Sequence, residues 1–444
     1  MKNILLIGAG RSATSLIQYL LKRCTETGWH LRVGDLSESL AREKIGETPV
    51  ASAFRFDIFD EAQRDREIMD ADLVISMLPA HFHSLPCQSC LKFGKHLLTA
   101  SYVSDEIQLL DQQAREKGVL ILMECGLDPG IDHMSAMRVL DQIRGAGHEI
   151  NAFESFTGGL VAPQSCEGNP WEYKFTWNPR NVVLAGTGTV KFIQEGRYKY
   201  IPYHKVFRRT EIIELPEYGY FEGYANRDSL KYREVYGLES VETLYRGTLR
   251  RPGYCKTWDI FVQLGATDDS YKMEGVANMT HRQFLNSFLS YDPHNSVELK
   301  LAHYMKLDLD GQIMFRMKWL DLFEEIPVGL EEGTPAQILE HILQKKWKME
   351  PQDQDMIVMW HKFLYEENGQ MREIQSHMVI EGEDAQHTGM AKTVGLPLGI
   401  AADMILSGKI RETGVHIPVK PSIYNPILDE LEKAGIKFVE RQIS

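Results

Sequence analysis

The chain of 444 residues predicts an α/β protein built on a doubly wound parallel sheet, with a mixed α/β domain and a small helical domain attached. Three observations predict this class. A strand-like run, Lys2 to Ile7, breaks into two closely spaced glycines and continues as a helical stretch. Strand-like and helical segments then alternate as far as Met123. Beyond about Phe153 the pattern changes to turn-rich strands with many aromatics, followed by a block of helices.

The opening run Gly8-Ala9-Gly10-Arg11-Ser12-Ala13 matches the glycine fingerprint of a Rossmann-type dinucleotide site. Gly8 permits a sharp turn, Gly10 leaves room for a pyrophosphate, and Ala13 lets the following helix pack closely on its strand. The helix, Thr14 to Cys24, presents free N–H groups to the anion. Leu31 to Asp35 reads as the second strand, and Asp35 at its end is placed to accept hydrogen bonds from ribose hydroxyls. An acid there repels a 2′-phosphate, so NAD is expected rather than NADP.

The elements follow in order. Ser37 to Ile45 reads as a helix and Ala51 to Phe56 as a third strand, after which Asp57 either lies near an adenine or caps the next turn. Ala71 to Ser76 is nearly all apolar, as a parallel strand buried on both faces should be. It leads into Met77-Leu78-Pro79, at the sheet edge where ligands bind. His81 and His83 come next; no third ligand stands at metal-binding spacing, so both read as loop and helix-start residues. His96 to Ala100 is a fifth strand delivering Ser101 and Tyr102 to the same edge. Ser104 reads as an N-cap for a helix running to Lys117, and Val119 to Met123 as the sixth strand. The loop Glu124 to His133 then carries Asp128, facing the site, while Asp132 and His133 begin a helix.

Later, Asn169-Pro170 to Trp177, Asn226-Arg227-Asp228-Ser229 and Arg246-Gly247-Thr248-Leu249-Arg250 place basic residues among turns and aromatics, which suits a pocket for anions. Helices are expected over 280–289, 297–307, 313–322 and 335–348. Strands 356–364 and 371–380 pair across Asn368-Gly369, and 388–407 is a small-residue apolar helix. With no linker in evidence, the domains interleave: 1–132 with 390–444, 133–270 with 350–389, and 271–349.

Composition narrows the function. A net charge of −13 argues against general nucleic-acid binding, which needs a basic face. No apolar run is read as a membrane span, and nothing at the start resembles a secretory signal, so a cytoplasmic protein is expected. The six cysteines are scattered, and Cys87 and Cys90 lack the second pair that zinc would need. No metal is expected.

The chain resembles the glutamate-forming saccharopine dehydrogenases over nearly its whole length. The likeness rests on Gly126-Leu127-Asp128-Pro129-Gly130-Ile131-Asp132-His133, the 169–177 stretch, Asn226 to Ser229, Arg246 to Arg250, and Met390-Ala391-Lys392-Thr393-Val394-Gly395. It implies a Rossmann domain completed by the C-terminal segment, and a homodimer. The implied reaction is oxidation of saccharopine, a glutamate and a lysine skeleton joined through a secondary amine, to glutamate and 2-aminoadipate 6-semialdehyde, within lysine metabolism. Implied substrate contacts are Ser101, Tyr102, Asp128, Arg227, Thr248 and Arg250; implied cofactor contacts are Gly8, Gly10, Ala13 and the strand-end residues. Two departures stand out. Fungal members use NADPH and carry an arginine after the second strand, where this chain has Gly34-Asp35-Leu36, closer to the NAD-using animal domain. The glycine loop also carries Arg11 and Ser12, with Arg11 able to approach a phosphate.

The chemistry needs a base for the bridging amine; Asp128, Lys174, His133 and the substrate's own groups are the candidates, and the residues alone leave the choice open. Rival readings are another amine dehydrogenase of the superfamily, acting on lysine or carboxynorspermidine, and a non-catalytic NAD-binding protein.

Overall fold

In the computed structural model, which describes residues 1–443, the chain forms two compact units: Met1–Ile150 with Tyr365–Ser444, and Asn151–Leu364.

The first unit holds a seven-stranded sheet in the order Gly414–His416, Leu120–Leu122, His96–Thr99, Leu73–Ser76, Asn3–Ile7, His30–Asp35, Ala51–Arg55. Every pairing is parallel. The strand order reverses between Asn3–Ile7 and Leu73–Ser76, and in such sheets ligands bind at that switch point. All four residues of Leu73–Ser76 are buried, which accounts for its apolar run.

Six of these strands match the alternation read in sequence; the seventh does not. Gly414–His416 is three residues long and too short for a periodic signal. It is held by Val415 N–H donating to Asp111 Oδ1 at 2.8 Å. The single helix expected to end at Lys117 is instead two, Asp105–Gln108 and Asp111–Glu116. Leu109, at the break, is 84% exposed, so continuing one amphipathic helix would gain no burial there. Ser104 caps the first of them, its Oγ accepting from Ile107 N–H.

Gly389–Leu406, capped by Thr388, packs against Thr14–Thr27. A Cβ on Gly395 would lie 2.8 Å from the Leu16 amide nitrogen, so the two backbones meet where only glycine fits. By length and composition this helix is apolar enough to cross a membrane, contrary to the sequence expectation that no such run exists; 78% of it is buried within the fold. Cys87 and Cys90 are buried in the core beneath the sheet. Burial pushes the Cys87 thiol up to about 12, and Cys90 is raised as well.

The second unit carries strands Thr210–Leu215, Gly219–Ala225, Thr243–Arg250 and all but the first two residues of Glu149–Val161, in that order. The first three are antiparallel neighbours, and Thr243–Arg250 runs parallel to Glu149–Val161. The helical block contains His281–Asn286, Val297–Met305, Gln312–Trp319 and Pro335–Trp347. Thr280 with Gln283 and Thr334 with Gln337 form reciprocal capping boxes, the sequence signal of two of these starts. Asn368 and Gly369, with φ of 52° and 76°, make the expected tight turn between Asp355–Glu367 and Gln370–Glu381.

Two helical glycines test the close contact. Gly395→Ala is expected to lower stability by about 1–3 kcal/mol. Gly145→Ala, with nothing within 4 Å of the new methyl, should be neutral or stabilising by up to about 1 kcal/mol. Urea unfolding followed by circular dichroism measures both, and equal effects would contradict the contact.

Candidate functional site

The glycine loop leaves open space at one of its two glycines and none at the other. Gly8 has φ 100°, and a Cβ there would sit 3.1 Å from Met77 O, whereas a Cβ on Gly10 would meet nothing within 4 Å. Gly8 is therefore fixed by the neighbouring Met77–Pro79 loop, and Gly10 faces open space where an anion can approach. Gly8 N–H donates to Gly34 O at 2.8 Å and Ala13 N–H to Gly10 O at 3.1 Å. Arg11–Ala13, a short 3-10 turn containing Ser12, leads straight into Thr14–Thr27.

Asp35 braces this loop. Its Oδ2 accepts from Ala9 N–H at 2.7 Å and its Oδ1 from Ser37 N–H at 2.9 Å. Lys44 Nζ donates to Gly10 O at 2.5 Å and to Thr14 Oγ1 at 2.9 Å, and burial lowers its pKa. Asp57 caps a turn, its Oδ1 accepting from Phe59 N–H at 3.0 Å.

Beyond the sheet edge, Tyr102 O–H donates to Asp128 Oδ1 at 3.0 Å. Two segments carry this pair, and Glu124 ties them together. Its N–H donates to Ser101 O at 3.0 Å, its Oε1 accepts from Val103 N–H at 3.0 Å, and its Oε2 lies 2.8 Å from His133 Nε2. The Asp128 loop closes on itself through Gly126 N–H to Pro129 O and Asp132 N–H to Leu127 O, with Asp132 Oδ1 accepting from Gly130 N–H at 2.6 Å. Asp128 and Tyr102 are half-buried. His133 is 0% exposed and turned towards Glu124, itself 2% exposed, so its imidazole sits inside the unit. Glu124 carried no distinguishing signal in sequence; its φ of 55° marks it only once the backbone is known.

The second unit gathers a different set. Arg250, 3% exposed, lies over the rings of Tyr173, Tyr224 and Tyr254 at 5.2, 5.8 and 5.3 Å from their centroids. Its Nη1 donates to Leu249 O at 2.9 Å, and its Nε is buried without a hydrogen-bond partner. Burial pushes the Tyr173 hydroxyl up to about 12, which keeps it neutral. Thr248, half-buried, stands opposite Tyr224 in the antiparallel register. The 169–177 stretch supplies the wall: Trp171 and Tyr173 pack on Trp347 at 5.1 and 5.0 Å, and Asn169 Nδ2 donates to Tyr173 O. Lys174 Nζ lies 2.5 Å from Asp353 Oδ2 in a largely buried ion pair. Arg227 is exposed, in a left-handed turn with φ 52° anchored by Lys191 N–H donating to its carbonyl at 3.0 Å. Among the described residues no group of three or more His, Cys, Asp or Glu side chains is placed to hold a metal.

Comparison with known proteins adds the family. Residues 4–122 match the saccharopine dehydrogenase NADP binding domain, and residues 126–436 the saccharopine dehydrogenase C-terminal domain. A Schizosaccharomyces pombe protein named saccharopine dehydrogenase [NADP(+), L-glutamate-forming] is 31% identical, over 100% of this chain and 99% of that protein. The Bos taurus mitochondrial alpha-aminoadipic semialdehyde synthase is also 31% identical, over 98% of this chain and 47% of its own length. The apo structure of saccharopine dehydrogenase (L-Glu forming) from Saccharomyces cerevisiae superposes with a TM-score of 0.89 at 28% identity, covering 100% of both chains.

These findings correct the expectation of NAD. The matched domain is described as NADP binding, and the pombe and other fungal relatives are named for NADP(+). The physical reason lies in Asp35: its two oxygens brace backbone amides of the loop, so an acid at this place does not by itself report which ribose is bound. Matched along both domains and superposing over its full length, the chain belongs to the saccharopine dehydrogenase family.

Proposed function

We propose that the chain is an L-glutamate-forming saccharopine dehydrogenase of lysine metabolism, oxidising saccharopine reversibly with NADP and water to L-glutamate and 2-aminoadipate 6-semialdehyde. The observation that carries this reading is Arg250. A guanidinium removed from water is unfavourable unless its charge and donors are met. Here three neutral tyrosines surround it, no carboxylate pairs with it among the described residues, and one donor is left open. A substrate carboxylate completes that site, and saccharopine brings three.

The remaining roles follow from what each side chain already holds. Gly10 and the start of Thr14–Thr27 would hold the pyrophosphate, and a dinucleotide bound there would supply the acceptor for the hydride. Hydride leaves the lysine-derived carbon beside the bridging nitrogen, and water adds to the resulting imine, releasing glutamate and the aldehyde. The bridging amine must first lose a proton. Of the three candidate side chains, Lys174 is paired with Asp353 and His133 is buried against Glu124. Half-buried Asp128 is the one we assign, with Tyr102 O–H donating to one of its carboxylate oxygens and fixing its orientation. Arg227, exposed on its loop, binds a second carboxylate.

Initial rates of NADPH formation test the reading: saccharopine should be turned over, while lysine and carboxynorspermidine, which lack one or more of its carboxylates, should not. Comparable rates with either would overturn it. Arg227→Ala is expected to raise KM for saccharopine about tenfold or more with an unchanged melting temperature; unaltered kinetics would remove it from the pocket. Asp35→Ala, which strips the brace from the glycine loop, should weaken NADP and NAD by similar factors. A gain in NADP affinity alone would instead make the acid a reader of the ribose.

A further inference from the structure

His83 reads in sequence as a helix-start residue, and the reaction above leaves it unused. In the fold its ring is 0% exposed and lies at the C-terminal ends of two neighbouring parallel strands, Leu73–Ser76 and His96–Thr99. Nδ1 is 2.9 Å from Ser76 Oγ. Nε2 is 2.6 Å from Ser101 Oγ and 3.2 Å from Thr99 Oγ1. Thr99 Oγ1 also accepts Ser101 N–H at 3.3 Å, so Ser101 is held through both its amide and its hydroxyl. Ser76 and Thr99 are buried; of the three hydroxyls around the ring, Ser101 alone is partly exposed.

We propose that His83 is a positioning residue, a neutral imidazole that fixes the Ser101 hydroxyl for a substrate carboxylate and registers it against the strand feeding the Met77–Pro79 loop. This rests on the proposed place of Ser101 in the saccharopine site. With the proton on Nε2, the neutral ring donates to Ser101 Oγ and accepts from the Ser76 hydroxyl at Nδ1, which leaves the Ser101 O–H to donate to a carboxylate. A charged ring would carry donors on both nitrogens in a buried place, with no acid paired to it among the described residues. Consistently, burial, with His81 acting the same way, lowers its pKa to about 4. A hydroxyl so held meets a carboxylate without first losing rotor freedom, which favours binding.

A double-mutant cycle on the full-length enzyme separates this role from plain packing. Ser101→Ala is expected to raise KM for saccharopine about tenfold. His83→Gln should raise it severalfold while leaving kcat and KM for the dinucleotide within about twofold, and should add little in the Ser101→Ala background, because the two act as one unit. Additive effects would overturn the proposal, as would equal rises in both KM values. If Ser101→Ala leaves KM unchanged while wild-type enzyme still turns over saccharopine, the placement of Ser101 fails and the role of His83 with it, and the assigned reaction stands. Should His83→Gln not fold, ring 15N resonances of wild type and Ser101→Ala decide. The His83 ring should stay neutral down to about pH 5 and respond to saccharopine only when Ser101 is present. A protonated ring at that pH, or the same response in Ser101→Ala, would contradict it.

Discussion

The buried guanidinium of Arg250 sets the terms for the second unit. A cation this deep would ordinarily draw a carboxylate to itself. The acid opposite it in the sheet register is Glu222, and the fold keeps that acid occupied: Oε2 accepts from the amides of Gly253 and Cys255 at 3.1 Å each, and Oε1 from the Thr210 hydroxyl. What Arg250 receives instead is ring faces, from tyrosines whose positions depend on the packing of Trp171, Trp258 and Trp347. The aromatic richness of 169–177 is thus part of a scaffold that surrounds this charge with rings and, among the described residues, with no paired carboxylate. Such a site is expected to be retained for binding rather than for stability.

The first unit solves a related problem with backbone and buried acids. Glu124 and His133 lie inside it, and their contacts hold together the two strand-end segments that carry Tyr102 and Asp128. Asp35 does the same for the glycine loop. In both places a carboxylate that sequence reading assigns outward, or passes over, works inward on N–H groups. The positions of the side chains that remain half-exposed, Ser101, Tyr102 and Asp128, follow from these internal supports.

How far the sequence discloses this depends on the range of the signal. The parallel strands are legible because burial on both faces writes a nearly unbroken apolar run, as in Leu73–Ser76, and the hairpin turn because Asn368-Gly369 suits two residues with positive φ. Helix starts at Ser37, Ser104, Thr280 and Thr334 carry their capping side chains in plain view. Gly414–His416 and the break at Leu109 are settled by tertiary contacts and leave no period to read. The motif glycine Gly395 looks like a mere small residue until Leu16 is set against it. In the candidate site, residue types were readable and commitments were not: only coordinates reveal that Lys174 belongs to Asp353 and His133 to Glu124. Asp35 misled over NAD against NADP for the same reason, since its letter does not disclose that both its oxygens already accept from backbone amides.

The most direct measurement is thermal unfolding of wild type and Arg250→Met, each with and without saccharopine. Replacing an unpaired buried cation by a flexible apolar side chain of similar reach should stabilise the free protein, by roughly 1–4 kcal/mol on the scale known for buried ion pairs. The same change should abolish the rise in melting temperature that saccharopine gives the wild type. A free Arg250→Met protein less stable than wild type, still raised in full by saccharopine, would contradict the claim that this guanidinium waits for a substrate carboxylate.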